Sequence, residues 1–278
     1  MLKDYNQNQI QNKELIHFLP GNSFTPCTYH KILDNLSDNF LIKVSILRAL
    51  WDQEALPNFK NWDIFLNDYI ESIKNEKNII GIGHSIGGNI LLKAAIKQPE
   101  KFDKIVLLDP TFFPPATIYA WKLISLFKAQ SYFLSYIKYA ENKKMQYNSI
   151  EEMFKSYRRY KIFSKFSDDD LLLFVKSLTI EKDDKIHLIF DSKWDAQIYR
   201  TGLLSDMFIW DNIDKLKTKA FIIRAEHSDA FYKKTAKMIS RKNSNIEIKT
   251  IKNSDHLFPI NNTESTISLI QKFLFYSS

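Results

Sequence analysis

Short apolar runs bounded by turn residues recur along the chain, at Leu15–Leu19, Phe40–Ile46, Asn78–Ile82, Ile105–Leu108, Ala220–Ile223 and Ile246–Ile251. Each is too short for a helix and rich in Ile, Leu, Val or Phe, as strands buried on both faces of a parallel sheet are. Helical spacing separates most of them. Trp62, Phe65, Leu66, Tyr69, Ile70 and Ile73 recur at intervals of three and four, and a second helix is predicted from Gly87 to Lys97, stopping before Pro99. Strand alternating with helix predicts an α/β fold with a mostly parallel central sheet flanked by helices.

The alternation lapses between Pro110 and about Asp214, where helical patterns run with almost no strand signal. The pattern divides the chain into a first core segment, 1–110, a helical insertion, 111–213, and a second core segment, 214–278. The insertion is polarised in charge. Residues 119–166 hold ten Lys or Arg against three Asp or Glu, whereas residues 167–213 hold five against ten. Its first half is crowded with aromatics, which are expected to face a pocket and the core while the lysines form a solvated face over packed alkyl stems. Phe112, Phe113 and Trp121 are the candidate pocket residues.

Composition narrows the class. A chain of 278 residues, 45% hydrophobic and 26% charged, can bury a full core and is neither disordered nor fibrous. The net charge of +7 is modest and lacks the dense basic stripe of a nucleic-acid binder. It leaves peripheral contact with a membrane surface open. One cysteine, Cys27, read as a packed thiol, excludes an internal disulfide framework and a cysteine-built zinc site, and fits a reducing cytoplasm. The polar start, Met1–Asn8, predicts no signal peptide, and no window holds the roughly 18 uncharged apolar residues of a membrane span. No ligand cluster points to a metal, and nothing calls for a cofactor.

Candidate chemistry centres on Gly83-His84-Ser85-Ile86-Gly87, which follows a predicted strand and opens a predicted helix. A serine in Gly-x-Ser-x-Gly at such a strained turn projects its hydroxyl above the sheet, and small flanking residues let the backbone pass closely. The plain alternative is a tight turn with an ordinary serine. A serine nucleophile needs a base, and the base needs an orienting acid. His256, in a polar loop after the strand Ile246–Ile251, is the candidate base, with His227 its rival; His17 reads as a core histidine and His84 as filling the free position of the turn. Asp229, in the loop after the strand Ala220–Ile223, is the candidate acid in the order Ser85, Asp229, His256. Asp109, at the tip of the strand after the Gly87–Lys97 helix, is the substitute, with a plain role in capping its loop, and Glu226 is a minor option. Main-chain N–H groups of Ile86 and of Asn22, in Leu19-Pro20-Gly21-Asn22-Ser23, are candidate donors to an oxyanion; Gly21 there is expected to let the chain turn.

Together these residues resemble the α/β-hydrolase superfamily, specifically its lid-bearing serine esterases, over about residues 14–110 and 214–275. The resemblance implies a serine hydrolase cleaving an ester or related acyl bond of a small-molecule substrate with an apolar portion, with no cofactor. It implies Ser85 as nucleophile, His256 as base, Asp229 as acid, Asn22 and Ile86 as oxyanion donors, and the insertion as a lid. Pro20-Gly21 stands where such proteins usually carry His-Gly, and too little chain precedes Leu15 for their full leading hairpin, so a shortened sheet edge is expected there.

Two other classes share parts of this pattern. Gly81-x-Gly83-x-x-x-Gly87 followed by Asp109, with the pair Tyr139 and Lys143, echoes a dinucleotide-dependent dehydrogenase. That reading misplaces the third glycine and leaves Asp229 and His256 idle. A binding protein that keeps the fold without the chemistry is the other, against which stands the presence of all three catalytic residue types.

Overall fold

All six apolar runs are strands in the computed structural model, which describes residues 2–5, 13–52 and 58–276. Of the polar N-terminal stretch, Met1 and residues 6–8 lie outside the described residues. The central sheet joins β1 (Leu2–Asp4), β2 (Leu15–Leu19), β3 (Leu41–Ser45), β4 (Ile79–His84), β5 (Phe102–Leu108), β9 (Lys219–Ala225) and β10 (Ile246–Ile251). Their spatial order is β1-β3-β2-β4-β5-β9-β10, and every pairing is parallel except that of β1 with β3. At that edge β1 is a three-residue strand antiparallel to β3, with Leu2 opposite Ser45.

Alternation along each strand feeds two separate cores. Leu107 and Ile222 face α2 (Asp63–Ser72), α3 (Ile86–Lys97) and α11 (Lys233–Lys242), while Val106, Leu108, Phe221 and Ile223 face α1 (His30–Ser37) and α13 (Thr263–Tyr276). Strand β4 is buried along its whole length. Each of its isoleucines contributes about 2 kcal/mol by leaving water, so the strand that leads into the candidate serine is firmly anchored in the sheet.

Between β5 and β9 lie the helices α4 (Pro115–Leu126), α5 (Gln130–Phe133), α6 (Ser135–Glu141), α7 (Ile150–Arg158), α8 (Asp168–Ser177), α9 (Ser192–Thr201) and α10 (Met207–Asn212). The expectation of almost no strand in this stretch is corrected. It holds a small antiparallel sheet of β6 (Gln146–Tyr147), β8 (Lys185–Leu188) and β7 (Thr179–Lys182). Strands β7 and β8 are joined by Asp183 and Asp184, at φ 52° and 55°. Aspartate tolerates this left-handed region, which a two-residue hairpin turn requires at both positions. Strands of two to four residues leave too short an alternation to read. Among the described residues no helix is long and apolar enough to cross a membrane.

Candidate active site

The Gly83–Gly87 turn places Ser85 between the end of β4 and the first residue of α3, with φ 56° and ψ −120°. A non-glycine residue there is strained, which aims its side chain out of the sheet. The flanking glycines are required by close approach. A Cβ on Gly83 would meet the carbonyl oxygen of Gly87 at 2.6 Å, and one on Gly87 would strike the Leu19 carbonyl.

Two hydrogen bonds organise the site. Nε2 of His256 lies 2.9 Å from Oγ of Ser85, and Nδ1 of His256 lies 2.8 Å from Oδ2 of Asp109. An ionised carboxylate only accepts, so Nδ1–H donates to Asp109 and Nε2 is left to accept the serine proton. Asp109 is fully buried and sits at φ 42°, just past β5. Its carboxylate also accepts from the Ala225 N–H at 2.9 Å and the Ser228 hydroxyl at 2.6 Å, so it is held rigidly.

The residue at Nδ1 is therefore not the expected Asp229. The loop after β9 turns inward at Ser228 to reach Asp109, which leaves Asp229 exposed and accepting from the Tyr136 hydroxyl of α6 at 2.7 Å. Burial alone would lower the pKa of His256, but the bond and charge of Asp109, with the charges of Asp229 and Asp255, outweigh it and raise the pKa above its ordinary value. His227, the rival base, is exposed beside Glu226 and takes no part. His17 is a core histidine, in contact with Tyr69 and Glu76.

His84 does more than fill a free position. It is fully buried, its Nδ1 lies 2.7 Å from the Tyr29 hydroxyl, and its Nε2 lies 2.9 Å from the carbonyl oxygen of His256. The carbonyl must accept, so Nε2 carries the proton and Nδ1 accepts from Tyr29. Tyr29 in turn accepts from the Gly21 N–H at 3.0 Å. One chain of donors thus ties the Gly21 loop, the serine turn and the His256 loop together. Burial, and the neighbouring His256, hold the His84 pKa well below the ordinary histidine value, so its ring is neutral. Motif spacing carries no signal for this, because the partners lie 55 and 172 residues away.

The Gly21–Phe24 turn closes with a Phe24 N–H to Gly21 carbonyl bond of 3.2 Å, and its positive φ of 62° falls on Ser23 rather than on the glycine. Gly21 is needed for another reason: a Cβ there would crowd Nδ1 of His84 at 3.0 Å. Among the described residues neither the Asn22 nor the Ile86 main-chain N–H has a hydrogen-bond partner. Both flank the serine turn, one from the β2 loop and one from the start of α3. The side chains of Asn22 and Ser23 donate to Oδ1 of Asp195 in α9 at 2.6 and 2.7 Å, and the Lys143 ammonium lies 2.5 Å from the other oxygen. Thr111 places its hydroxyl 3.1 Å from Oγ of Ser85.

The expected pocket aromatics are packed into the core. Phe112 is fully buried against Trp210 and Phe231, Phe113 is buried edge-on to Tyr232, and Trp121 donates its indole N–H to the Arg200 carbonyl. Cys27, expected to be packed, is exposed. Tyr139 and Lys143 form no joint site, since Tyr139 is exposed beside Tyr160 and Lys143 pairs with Asp195.

Residues 58–261 match the family described as serine aminopeptidase, S33. The structure is similar along almost its whole length to solved hydrolases. E-2-(acetamidomethylene)succinate hydrolase superposes with a TM-score of 0.80 at 17% identity, covering 98% of this chain and 94% of that one. A putative hydrolase from Rickettsia typhi gives 0.74 at 20% identity, covering 98% and 89%. N-formylmaleamic acid deformylase from Pseudomonas putida gives 0.69 at 15% identity, covering 97% and 94%. By sequence, a probable 1-acylglycerol-3-phosphate O-acyltransferase of Oryza sativa subsp. japonica is 26% identical over 109 residues. That match takes in 36% of this chain and only 26% of the rice protein.

Proposed function

Because the chain belongs to the serine aminopeptidase S33 family of α/β-hydrolases, and is thereby a hydrolase, we propose that it cleaves an ester bond of a small, largely apolar substrate through an acyl-enzyme on Ser85. The observation that carries this reading is the relay of Ser85, His256 and Asp109 at 2.9 and 2.8 Å. Ser85 Oγ attacks the carbonyl carbon while its proton passes to Nε2 of His256. Asp109 holds the ring in the tautomer that can accept that proton and stabilises the imidazolium that results. The Asn22 and Ile86 N–H groups donate to the oxyanion as it forms. Collapse expels the alcohol, which leaves with the proton from His256. Water then enters, gives its proton to the same nitrogen, and releases the acid and free Ser85. Residues 111–213 act as the lid over this site, tied to the core by the bonds of Tyr136 in α6 to Asp229 and of Asp195 in α9 to Asn22.

The same relay serves amides, and one structural neighbour bears the name deformylase. The test separates these cases. The protein and its Ser85→Ala variant are treated with a fluorophosphonate probe, and separate, untreated parent is assayed on matched p-nitrophenyl esters and anilides of rising acyl length. Labelling of the parent alone, with turnover of the esters and preference for longer chains, is expected. Absence of labelling in folded parent overturns the serine mechanism, and faster turnover of the anilides overturns the ester assignment.

A further inference from the structure

The lid turns apolar side chains to solvent in an organised way. On α4, Ile118 and Trp121 are buried, while Tyr119, Lys122, Leu123 and Leu126 recur at three and four on the outer face. The two faces of one helix are thus both apolar, and only one is covered. Exposure is high through the next turn and α5: 78% for Leu126, 76% for Phe127, 80% for Tyr132 and 67% for Phe133. Helix α6 continues the surface with Tyr139, while its Ile137 and Ala140 are buried. Of the aromatics expected to face a pocket and the core, Phe112, Phe113 and Trp121 are buried, whereas Tyr119, Phe127, Tyr132, Phe133 and Tyr139 turn outward. Apolar side chains scattered singly on a surface need no explanation, but a contiguous helical face of this kind marks a contact.

Charge says what the contact is. From Pro110 to Ala140 the chain has three lysines, Lys122, Lys128 and Lys138, and no acidic residue. All three are exposed, and two are anchored over rings of the patch, Lys122 on Tyr119 at 5.5 Å and Lys138 on Tyr132 at 5.0 Å. Cations ringing exposed Leu and Phe, with tyrosines at the border, match the polarity gradient of a bilayer: hydrocarbon inward, aromatic groups at the headgroups, lysine on phosphate. A second copy of the chain fits poorly, because a self-contact would bring two acid-free sets of lysines together, and like charges across an interface oppose it.

We propose that the outer face of α4–α6 docks on a lipid surface bearing anionic headgroups, with Leu126, Phe127 and Phe133 inserted and the three lysines on phosphate. Tyr136 on α6 donates to Asp229 on the core and stacks on Tyr199 of α9, so the docked helix also forms a wall beside the site. This attachment does not depend on the reaction proposed above.

The experiment is vesicle flotation of the full chain. The vesicles are phosphatidylcholine alone, or phosphatidylcholine and phosphatidylglycerol in equal parts. The parent is expected to float with the anionic vesicles, to stay behind with the zwitterionic ones, and to be released by salt. Neutralising each lysine, as in Lys122→Gln, should weaken binding roughly fivefold, and Leu126→Asp with Phe127→Asp should abolish it. These side chains are exposed, so thermal melts of the variants should match the parent. Ser85→Ala should float as the parent does, which keeps the outcome separate from the question of catalysis. Failure of the parent to float, or equal flotation of the charge and Asp variants, overturns the proposal. Self-association removed by the Asp pair, without flotation, would assign the face to a second copy and overturn it equally.

Discussion

Asp109 holds the ring of His256, 147 residues further along the chain, through a 2.8 Å bond to Nδ1. The two come together at the carboxyl edge of the sheet because β5 and β10 flank β9, and Asp109 is anchored to β9 through the Ala225 N–H. The consequence is a clear division between two aspartates. Asp109→Asn should lower kcat on the order of 10⁴-fold, since the amide no longer fixes the productive tautomer. Asp229→Asn loses only an exposed bond to Tyr136 and should lower kcat by less than about tenfold. Steady-state kinetics on the two folded variants decides the matter; a greater loss in Asp229→Asn would reverse the assignment.

The pH profile follows from the same pair. His256 must be neutral to take the serine proton, and its pKa lies above the ordinary histidine value because Asp109, together with Asp229 and Asp255, outweighs burial. Activity should therefore rise with pH along a limb centred above about 6.5, the unperturbed value. Asp109→Asn removes the largest raising influence, and the residual activity should show its limb displaced toward acid. Asp229→Asn should displace it the same way, but less. His84, neutral throughout this range, adds no second limb. A parent limb centred below the unperturbed value would contradict the arrangement.

The strands, the strained turn at Ser85 and the polar loop that carries His256 were legible because each depends on short-range pattern: buried runs, glycines that permit close approach, and a polar loop after a strand. The acid was not. Asp109 and Asp229 both end a strand of the sheet, and the choice between them rests on how Ser228 turns the β9 loop, a contact across 119 residues. The same holds for Asp195, which lies 173 residues from its partner Asn22. The outward face of α4 was missed for a different reason. Hydrophobic periodicity reports that a face is apolar, and an uncovered apolar face leaves the same pattern as a buried one.

Asp195 links the 111–213 insertion to the loop that carries Asn22, the residue proposed above as an oxyanion donor. It is buried, accepts from Asn22 and Ser23 on one oxygen, and meets Lys143 on the other. Removing it in Asp195→Ala leaves three donors without their acceptor. Breaking such a buried pair costs about 3–5 kcal/mol, and loosening one oxyanion donor costs on the order of 10²-fold in kcat. The expected result is a lowered melting temperature together with a fall in kcat at nearly constant KM. Asp195→Asn, which keeps one acceptor for Asn22 and Ser23, should recover part of the kcat but little of the stability, because Lys143 stays unpaired. Full kcat in folded Asp195→Ala would remove any positioning role.

A second buried carboxylate, Asp206, sits at the far end of a network that ends on Ser85. It accepts from the Phe113 N–H at 3.0 Å and from the Asn89 amide at 2.7 Å; that amide also donates to the Thr111 carbonyl, and the Thr111 hydroxyl lies 3.1 Å from Ser85 Oγ. Burial raises its pKa to about 7, against the lowering influence of the Phe113 N–H, the Lys93 charge and Asn89. In the unfolded chain the same group ionises near 3.9, so between those values the folded protein holds the extra proton. Stability must then fall as pH rises through that window, by ~1.4 kcal/mol for each unit of displacement. This is the opposite of a salt-bridged aspartate, which gains stability as pH rises. Asp206→Asn keeps the shape and removes the titration, so it should flatten the slope of urea-unfolding free energy between about pH 4 and 7. An unchanged slope in the variant would show that Asp206 is ionised throughout, with Lys93 as its full counter-charge.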